Sequence, residues 1–322
     1  MKAIALISGG LDSALACRLI QAQGIEMIPL SFKIPFCKKK EADPFPSDLK
    51  IIDISRDFLD LLIKPRYGFG SNMNPCIDCK IFMLTRAREL MKEWNATFVV
   101  TGEVLGQRPM SQHRQALEII EKRSGLEGLV LRPLSARLLK ETIPEKEGWV
   151  DRNRLLDFSG RTRKPQMKLA DEFKIKEYPN PAGGCLLTDP EFSKRLKELI
   201  EHRELSLENI ELLKVGRHFR ISPETKLAVG RNEKENEQLA NLAKGNDYLF
   251  MPRDIAGPTA LGRGKFNDDL IKLAANITCR YCDLDGKMEA DIIYKTGTVP
   301  AGDCPCFNVT ALSDQELKIL RV

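Results

Sequence analysis

Three sets of residues in this 322-residue chain have the types and spacing to do chemistry. The first is Ser8-Gly9-Gly10-Leu11-Asp12-Ser13, placed between the apolar run Ala3–Ile7 and a helical pattern. Consecutive glycines let a backbone turn tightly and aim several N–H groups at one point, and a helix starting there adds its positive end. The Ser8 and Ser13 hydroxyls can donate to the same anion. The string lacks the lysine of a Walker A motif, which excludes the P-loop kinase and GTPase readings. Asp12 is awkward beside a phosphate unless it holds Mg2+ or a backbone amide, so the loop reads as a site for Mg–ATP.

The second set is Cys76-Ile77-Asp78-Cys79, at the start of a predicted helix, together with Cys185 in Pro181-Ala182-Gly183-Gly184-Cys185-Leu186. A helix N-terminus favours thiolate, the form that attacks or binds metal, and the glycines before Cys185 allow close backbone approach. Cys76, Cys79 and Cys185 could hold a [4Fe–4S] cluster with one open iron, or carry and release sulfur as a persulfide and disulfide; both readings stay open. The third set is Cys279-x-x-Cys282 with Cys304-x-Cys306, near zinc-ribbon spacing and read as a structural Zn2+ site, with disulfides or unrelated thiols as the alternatives. Cys17 (core face of a helix) and Cys37 (a basic loop) receive structural readings only.

These groups need a frame to position them. Strand signals at 3–7, 26–32, 50–54 and 97–101 alternate with helical patterns at 13–23 and 77–94. That alternation predicts an α/β fold with a doubly wound parallel sheet, Pro29 marking an edge in the second strand. Residues 33–47 read as a loop. After Leu131 the strand signals thin out, and an amphipathic helix with Phe192, Leu196, Leu199 and Ile200 opens a smaller α+β region. The expected divisions are 1–135, a basic segment 136–190 containing Cys185, and 191–322.

Bulk properties narrow the class. A 43% hydrophobic, 30% charged composition suits a globular chain with a sizeable core. No signal or membrane segment is visible, so the cytoplasm is the expected compartment and a framework of nine cysteines in disulfides is not. Three histidines exclude chemistry built on several imidazoles. The net charge of +5 merely permits a polyanionic partner, but Arg152, Arg154, Arg161, Arg163, Lys164 and Lys168 stand against the single acid Asp157, a grouping suited to phosphate contacts.

The string SGGLDS resembles the signature of the PP-loop ATP pyrophosphatases. That resemblance implies cleavage of ATP between its α and β phosphates and transfer of AMP to a substrate oxygen. Thr101-Gly102-Glu103-Val104-Leu105-Gly106-Gln107-Arg108-Pro109-Met110-Ser111-Gln112 and Arg132-Pro133-Leu134 are similar to segments of tRNA 4-thiouridine synthetases. By this likeness Ser8–Ser13, Gly102 and Gln107 bind ATP, while Asp12, Cys76, Cys79 and Cys185 are catalytic. Cys76 and Cys185 also resemble the widely separated cysteine pair of 2-thiouridylases. Residues 210–295, from Lys226-Leu227-Ala228-Val229-Gly230-Arg231-Asn232 through Ala256-Gly257-Pro258 to Ala274-Ala275, resemble the NFACT-R RNA-binding domain, departing from it at Arg280-Tyr281-Cys282-Asp283. Together these resemblances imply a tRNA sulfurtransferase, 4-thiouridine favoured, with tRNA as partner. The sulfur would come from a cysteine desulfurase persulfide or from sulfide. The rivals are a PP-loop ligase or sulfur-inserting enzyme for a small molecule, and a non-catalytic RNA-binding factor.

Overall fold

The structure is a computed structural model describing residues 1–37, 48–176, 178, 184–296 and 304–322. Residues 38–47 of the predicted loop, and Pro181, Ala182 and Gly183 of the predicted turn, lie outside the described residues. Two compact units divide the chain, Met1–Thr188 and Asp189–Val322, so residues 136–188 belong to the first.

In the first unit the elements run β1 (Lys2–Leu6), α1 (Leu11–Gln21), β2 (Glu26–Lys33), β3 (Lys50–Asp53), α2 (Ser55–Ile63), α3 (Cys76–Glu93), β4 (Phe98–Thr101), α4 (Arg114–Ser124), β5 (Val130–Leu131), α5 (Ile143–Lys146) and α6 (Lys164–Glu172). The five strands form one parallel sheet in the order β3-β2-β1-β4-β5. Strand residues alternate between faces, so each strand supplies two cores. Ala3, Ala5, Phe98, Val100 and Leu131 pack on one face with Leu15, Leu19 and Ile20 of α1 and Ala170 of α6. Ile4, Val99 and Val130 pack on the other with Leu84, Ala87 and Met91 of α3 and Ile120 of α4. Helices cover both faces of the sheet, leaving only the edge strand β3 largely exposed, the α/β doubly wound arrangement.

Pro29 does not mark an edge strand, because β2 lies between β1 and β3. Its neighbour Leu30 turns its carbonyl to Ile7 N at 2.8 Å, and β3 pairing starts only at Leu30. The missing N–H of Pro29, which is paired with Ala5 of β1, therefore faces the side of β2 where β3 pairing has not yet begun.

The second unit contains α7 (Pro190–Glu201), α8 (Leu207–Leu213), β6 (Arg217–Ser222), β7 (Thr225–Val229), α9 (Glu233–Leu242), β8 (Tyr248–Pro252), β9 (Ala260–Gly264), α10 (Asp268–Cys279), β10 (Glu289–Thr296), β11 (Cys306–Thr310) and α11 (Asp314–Leu320). Its sheet is antiparallel, ordered β11-β10-β8-β9-β7-β6. Leu227, Val229, Phe250 and Ile292 face Ile271, Ala274 and Ala275 of α10, while the alternate residues Ala228, Leu249 and Leu261 face Leu212 and Leu239.

Candidate active site

The order β3-β2-β1-β4-β5 reverses direction between β1 and β4, and ligands of open parallel sheets bind at the C-terminal ends of strands beside such a reversal. Leu6 is paired with Thr101, so both strands end at one level and release Ser8–Ser13 and Gly102–Gln112 side by side. Gly9 takes φ 69°, a left-handed turn that glycine makes without strain. Gly10 caps α1 in extended conformation. Ser13 donates its hydroxyl to Gly10 O at 2.8 Å and its Oγ accepts from Ser8 N at 3.3 Å, which holds the loop closed on itself.

The segment after β4 is fitted against this loop. A β-carbon on Gly102 would stand 2.5 Å from the Asp12 carbonyl carbon and 2.6 Å from its oxygen, so only glycine permits the approach. Gln107 Nε2 donates to Asp12 Oδ2 at 3.0 Å, whereas Asp12 Oδ1 is buried without a protein hydrogen-bond partner. Burial raises the Asp12 carboxyl above its ordinary value, opposed by the Gln107 hydrogen bond, Arg163, Arg108 and Gln166. A buried orphan carboxylate oxygen beside an anion-binding loop fits a magnesium ligand.

Behind this surface lies a buried ion network. Glu103 accepts from Arg132 Nε at 3.0 Å and from Thr101 Oγ1 at 3.2 Å, and Lys80 stands 3.5 Å away. Arg132 also pairs with Glu121. Burial works against the Glu103 charge, but Lys80 and Arg132 outweigh it and hold the carboxyl below the usual range. The network fixes the first residues of the Gly102–Gln112 segment. Farther along, Leu105 N donates to Ser135 Oγ at 2.9 Å, and Leu105 O accepts from Gly160 N at 2.8 Å.

The cysteines lie on the same side. Asp78 accepts from Arg66 N at 3.0 Å and Tyr67 N at 2.9 Å, pinning the loop before α3. Asn74 Nδ2 donates to Cys76 Sγ at 3.2 Å and lies 4.0 Å from Met110 Sδ. Asn72 Nδ2 donates to Thr188 O at 3.0 Å, and Thr188 Oγ1 donates to Cys185 O at 2.7 Å. This chain of contacts brings Cys185 to the Cys76 loop. Cys79 feels Cys185, Cys76 and Cys37 electrostatically, and Cys185 feels Cys37, Cys76 and Arg108.

The sequence expectation of an easily formed thiolate at the helix start fails at Cys79, and the Cys185 thiol is raised as well. Desolvation pushes the Cys79 thiol far up despite the helix start, and it lifts Cys185 to about 11. The helix dipole is a modest effect, and removing a thiolate from water outweighs it. Among the described residues no group of three or more Cys, His, Asp or Glu is arranged to hold a metal ion. Cys76, Cys79 and Cys185 as they stand therefore do not fit a [4Fe–4S] cluster. The same holds for Cys279, Cys282, Cys304 and Cys306 as a Zn2+ site. Cys279 is in the core and donates to Val309 O at 3.4 Å, and Cys282 donates to Thr278 O at 3.5 Å, so both thiols serve as packed, protonated groups. None of the nine cysteines is in a disulfide.

The basic segment divides in two. Arg152 pairs with Glu145 and donates to Leu139 O, and Arg154 donates to Ala22 O, so these two hold the fold. Arg161, Lys164 and Lys168 are exposed. Arg163 stands near Asp12, as does buried Gln166. Sequence reasoning passed over Asn72, Asn74, Arg108 and Gln166, which lie in loops or at helix starts without a repeating pattern. It also read Cys37 as structural, although that residue forms an isolated antiparallel bridge with Cys185. Cys17 is in the core, its thiol raised to about 11 by burial. Among the described residues no helix is long and apolar enough to cross a membrane.

Comparison with known proteins gives several likenesses. The "Probable tRNA sulfurtransferase" of Thermococcus kodakarensis is 28% identical over 142 residues, covering 41% of this chain and 36% of that protein. The "tRNA-specific 2-thiouridylase MnmA" of Petrotoga mobilis is 30% identical over 131 residues, covering 32% of this chain and 35% of that protein. The chain thus spans about a third of the length of these curated relatives. A 4-thiouridine synthetase–RNA complex with bound ATP aligns with TM-score 0.36 and 21% identity over 65% of this chain and 53% of that one, too distant to bear on function. Residues 216–319 match the family described as NFACT protein RNA binding domain. The first part of the chain is therefore similar to tRNA sulfurtransferases and 2-thiouridylases, and residues 216–319 are similar to the NFACT protein RNA binding domain.

Proposed function

We propose that the protein is an ATP-dependent tRNA sulfurtransferase that adenylates a uridine and replaces its carbonyl oxygen with sulfur, 4-thiouridine being the favoured product. The observation that carries this reading is the reach of one segment to both halves of the chemistry. Gln107 holds Asp12 of the phosphate loop, and three residues on Met110 lies against Asn74, the hydrogen-bond partner of Cys76. Arg108 between them acts on both Asp12 and Cys185.

ATP is the substrate of the first half-reaction. The N–H groups of Gly9–Ser13 and the start of α1 receive its phosphates, while Arg108 and Arg163 offset their charge. Asp12 Oδ1 would hold the accompanying Mg2+, which supplies further charge neutralisation on the leaving pyrophosphate. The uridine oxygen attacks the α-phosphorus, and AMP becomes a good leaving group from the base. Sulfur carried on the cysteines then displaces AMP at carbon. Because the thiols fit no cluster, the carrier in this reading is a cysteine persulfide, its outer sulfur transferred at the sulfane level from the persulfide of a cysteine desulfurase, whose own cysteine leaves as a thiol. The NFACT-type match and the similarity to tRNA enzymes support tRNA as the acceptor.

The test is incubation of the protein with ATP, unmodified tRNA and a persulfide donor, followed by nucleoside mass spectrometry. Thionucleoside, AMP and pyrophosphate should appear in equal amounts. Formation of ADP and phosphate, or no thionucleoside with any donor, overturns the reading.

A further inference from the structure

Of Cys37, Cys76, Cys79 and Cys185, Cys37 and Cys185 are the one pair whose backbones are directly opposed in an antiparallel bridge. The register is fixed by Leu186 N donating to Phe36 O at 2.7 Å. A hydrogen bond between the residue after one member and the residue before the other defines the narrow, non-hydrogen-bonded type of pair. In such a pair the Cα atoms stand about 4.5 Å apart and both side chains project from the same face. Disulfides need Cα separations of roughly 4.4–6.8 Å, so a bond between these two sulfurs requires no backbone movement. Cys76 and Cys79 instead occupy the first turn of a helix and share no strand pairing with Cys185. The remaining surroundings agree. Cys37 is exposed, where a reductant can reach it, while Cys185 is half-buried beside Arg108 and the Cys76 loop.

We infer that Cys37 is the resolving thiol of Cys185: it attacks the Cys185 sulfur, forms the Cys37–Cys185 disulfide and frees the sulfur that Cys185 delivered. This inference rests on the sulfur-transfer reading above. The atoms and electrons balance as follows. The terminal sulfur of a Cys185 persulfide bonds to the activated carbon as the carbon–oxygen bond to AMP breaks. Cys37 gives its proton to solvent and attacks the inner sulfur, and the sulfur–sulfur bond to the nucleoside breaks. The sulfane sulfur is reduced to the thiocarbonyl level, and the two cysteines are oxidised together. An external dithiol returns them to thiols before the next persulfide is loaded.

Two measurements on the full chain test this. Wild-type protein equilibrated in glutathione redox buffers, trapped with N-ethylmaleimide and mapped by mass spectrometry should show Cys37–Cys185 as the first disulfide; Cys76–Cys185 or Cys79–Cys185 in its place overturns the inference. In single turnover from persulfide-loaded protein without reductant, wild type should finish with that disulfide in amounts equal to thionucleoside. Cys37→Ser should stall with tRNA joined to Cys185, the rate of thionucleoside release in that single turnover falling at least about tenfold and recovering on adding dithiothreitol. Release by Cys37→Ser at the wild-type rate without dithiothreitol overturns it. If wild type forms no thionucleoside under any condition, the sulfur-transfer reading falls with the resolving role. The glutathione map then still decides whether the two cysteines are a redox pair.

Discussion

Gly102 lies so close to Asp12 that a β-carbon there would stand 2.6 Å from the Asp12 carbonyl oxygen. The end of β4 and the start of α1 are thus in backbone contact, and the shape of the phosphate loop depends on a residue far away in sequence. Gly102→Ala must push one of two backbones aside, since no flexible side chain can yield. The expected cost is about 1–3 kcal/mol of stability with a loss of ATP binding, read by urea unfolding and calorimetric titration.

Asp12 carries a charge that burial opposes, so its folded pKa lies above the ordinary 3.8. The unfolded chain ionises first as pH rises. Stability contributed by this group is therefore lost as pH climbs from the ordinary value through the raised one, and the cost persists at neutral pH. Asp12→Asn should be at least as stable as wild type at pH 7, its advantage shrinking toward acid, while AMP formation falls about a hundredfold or more. A strongly destabilised variant at pH 7 would contradict this account.

Glu103 has the opposite sign, being held below the ordinary 4.5 by Lys80 and Arg132 against the effect of burial. Its contribution is present above the ordinary value and lost as pH falls through the depressed one. Arg132→Met leaves Glu103 buried with Lys80 alone and should cost about 3–5 kcal/mol. Urea midpoints at several pH values would check both statements.

Cys185, lifted from 9.0 to about 11, should react with iodoacetamide near neutral pH about a hundredfold more slowly than an ordinary thiol. Arg108 favours the thiolate, so Arg108→Ala should slow the reaction further. Peptide mass spectrometry against time gives the rate at each cysteine.

Exposed Arg161, Lys164 and Lys168 are available to a polyanion, whereas Arg154 is engaged with Ala22 O. Reversing the three exposed charges should weaken tRNA binding and flatten its dependence on log salt by roughly one per lost phosphate contact. Arg154→Ala should lower stability and leave that slope unchanged. Fluorescence anisotropy across a salt series separates the two.

Much of the parallel sheet was legible because its strands are short apolar runs bounded by turn residues, as at Ala3–Ile7 and Thr97–Thr101. The tight turn into α1 was legible because glycines, hydroxyls and Asp12 are contiguous. What could not be read is what depends on three-dimensional meeting. Nothing local distinguishes Arg152, whose partner is Glu145, from Arg161, which has solvent around it. The helix position of Cys79 argues for a thiolate, but its desolvation comes from residues distant in sequence. Cys37 lies among lysines in a segment with no periodicity, and only its pairing with Cys185 gives it meaning.

The parallel pairing of Ala3–Leu6 with Phe98–Thr101 also bears on how the chain acquires its activity. The turn Ser8–Ser13 is made before the strand that packs against it, with α1, α2 and α3 lying between them in the chain. Contacts this remote require a long loop to close before any stabilisation is returned, so they form late. Until then the apolar first strand can be sheltered only by its nearer neighbours. The turn against which Gly102 packs therefore reaches its final shape only once β1 and β4 have paired.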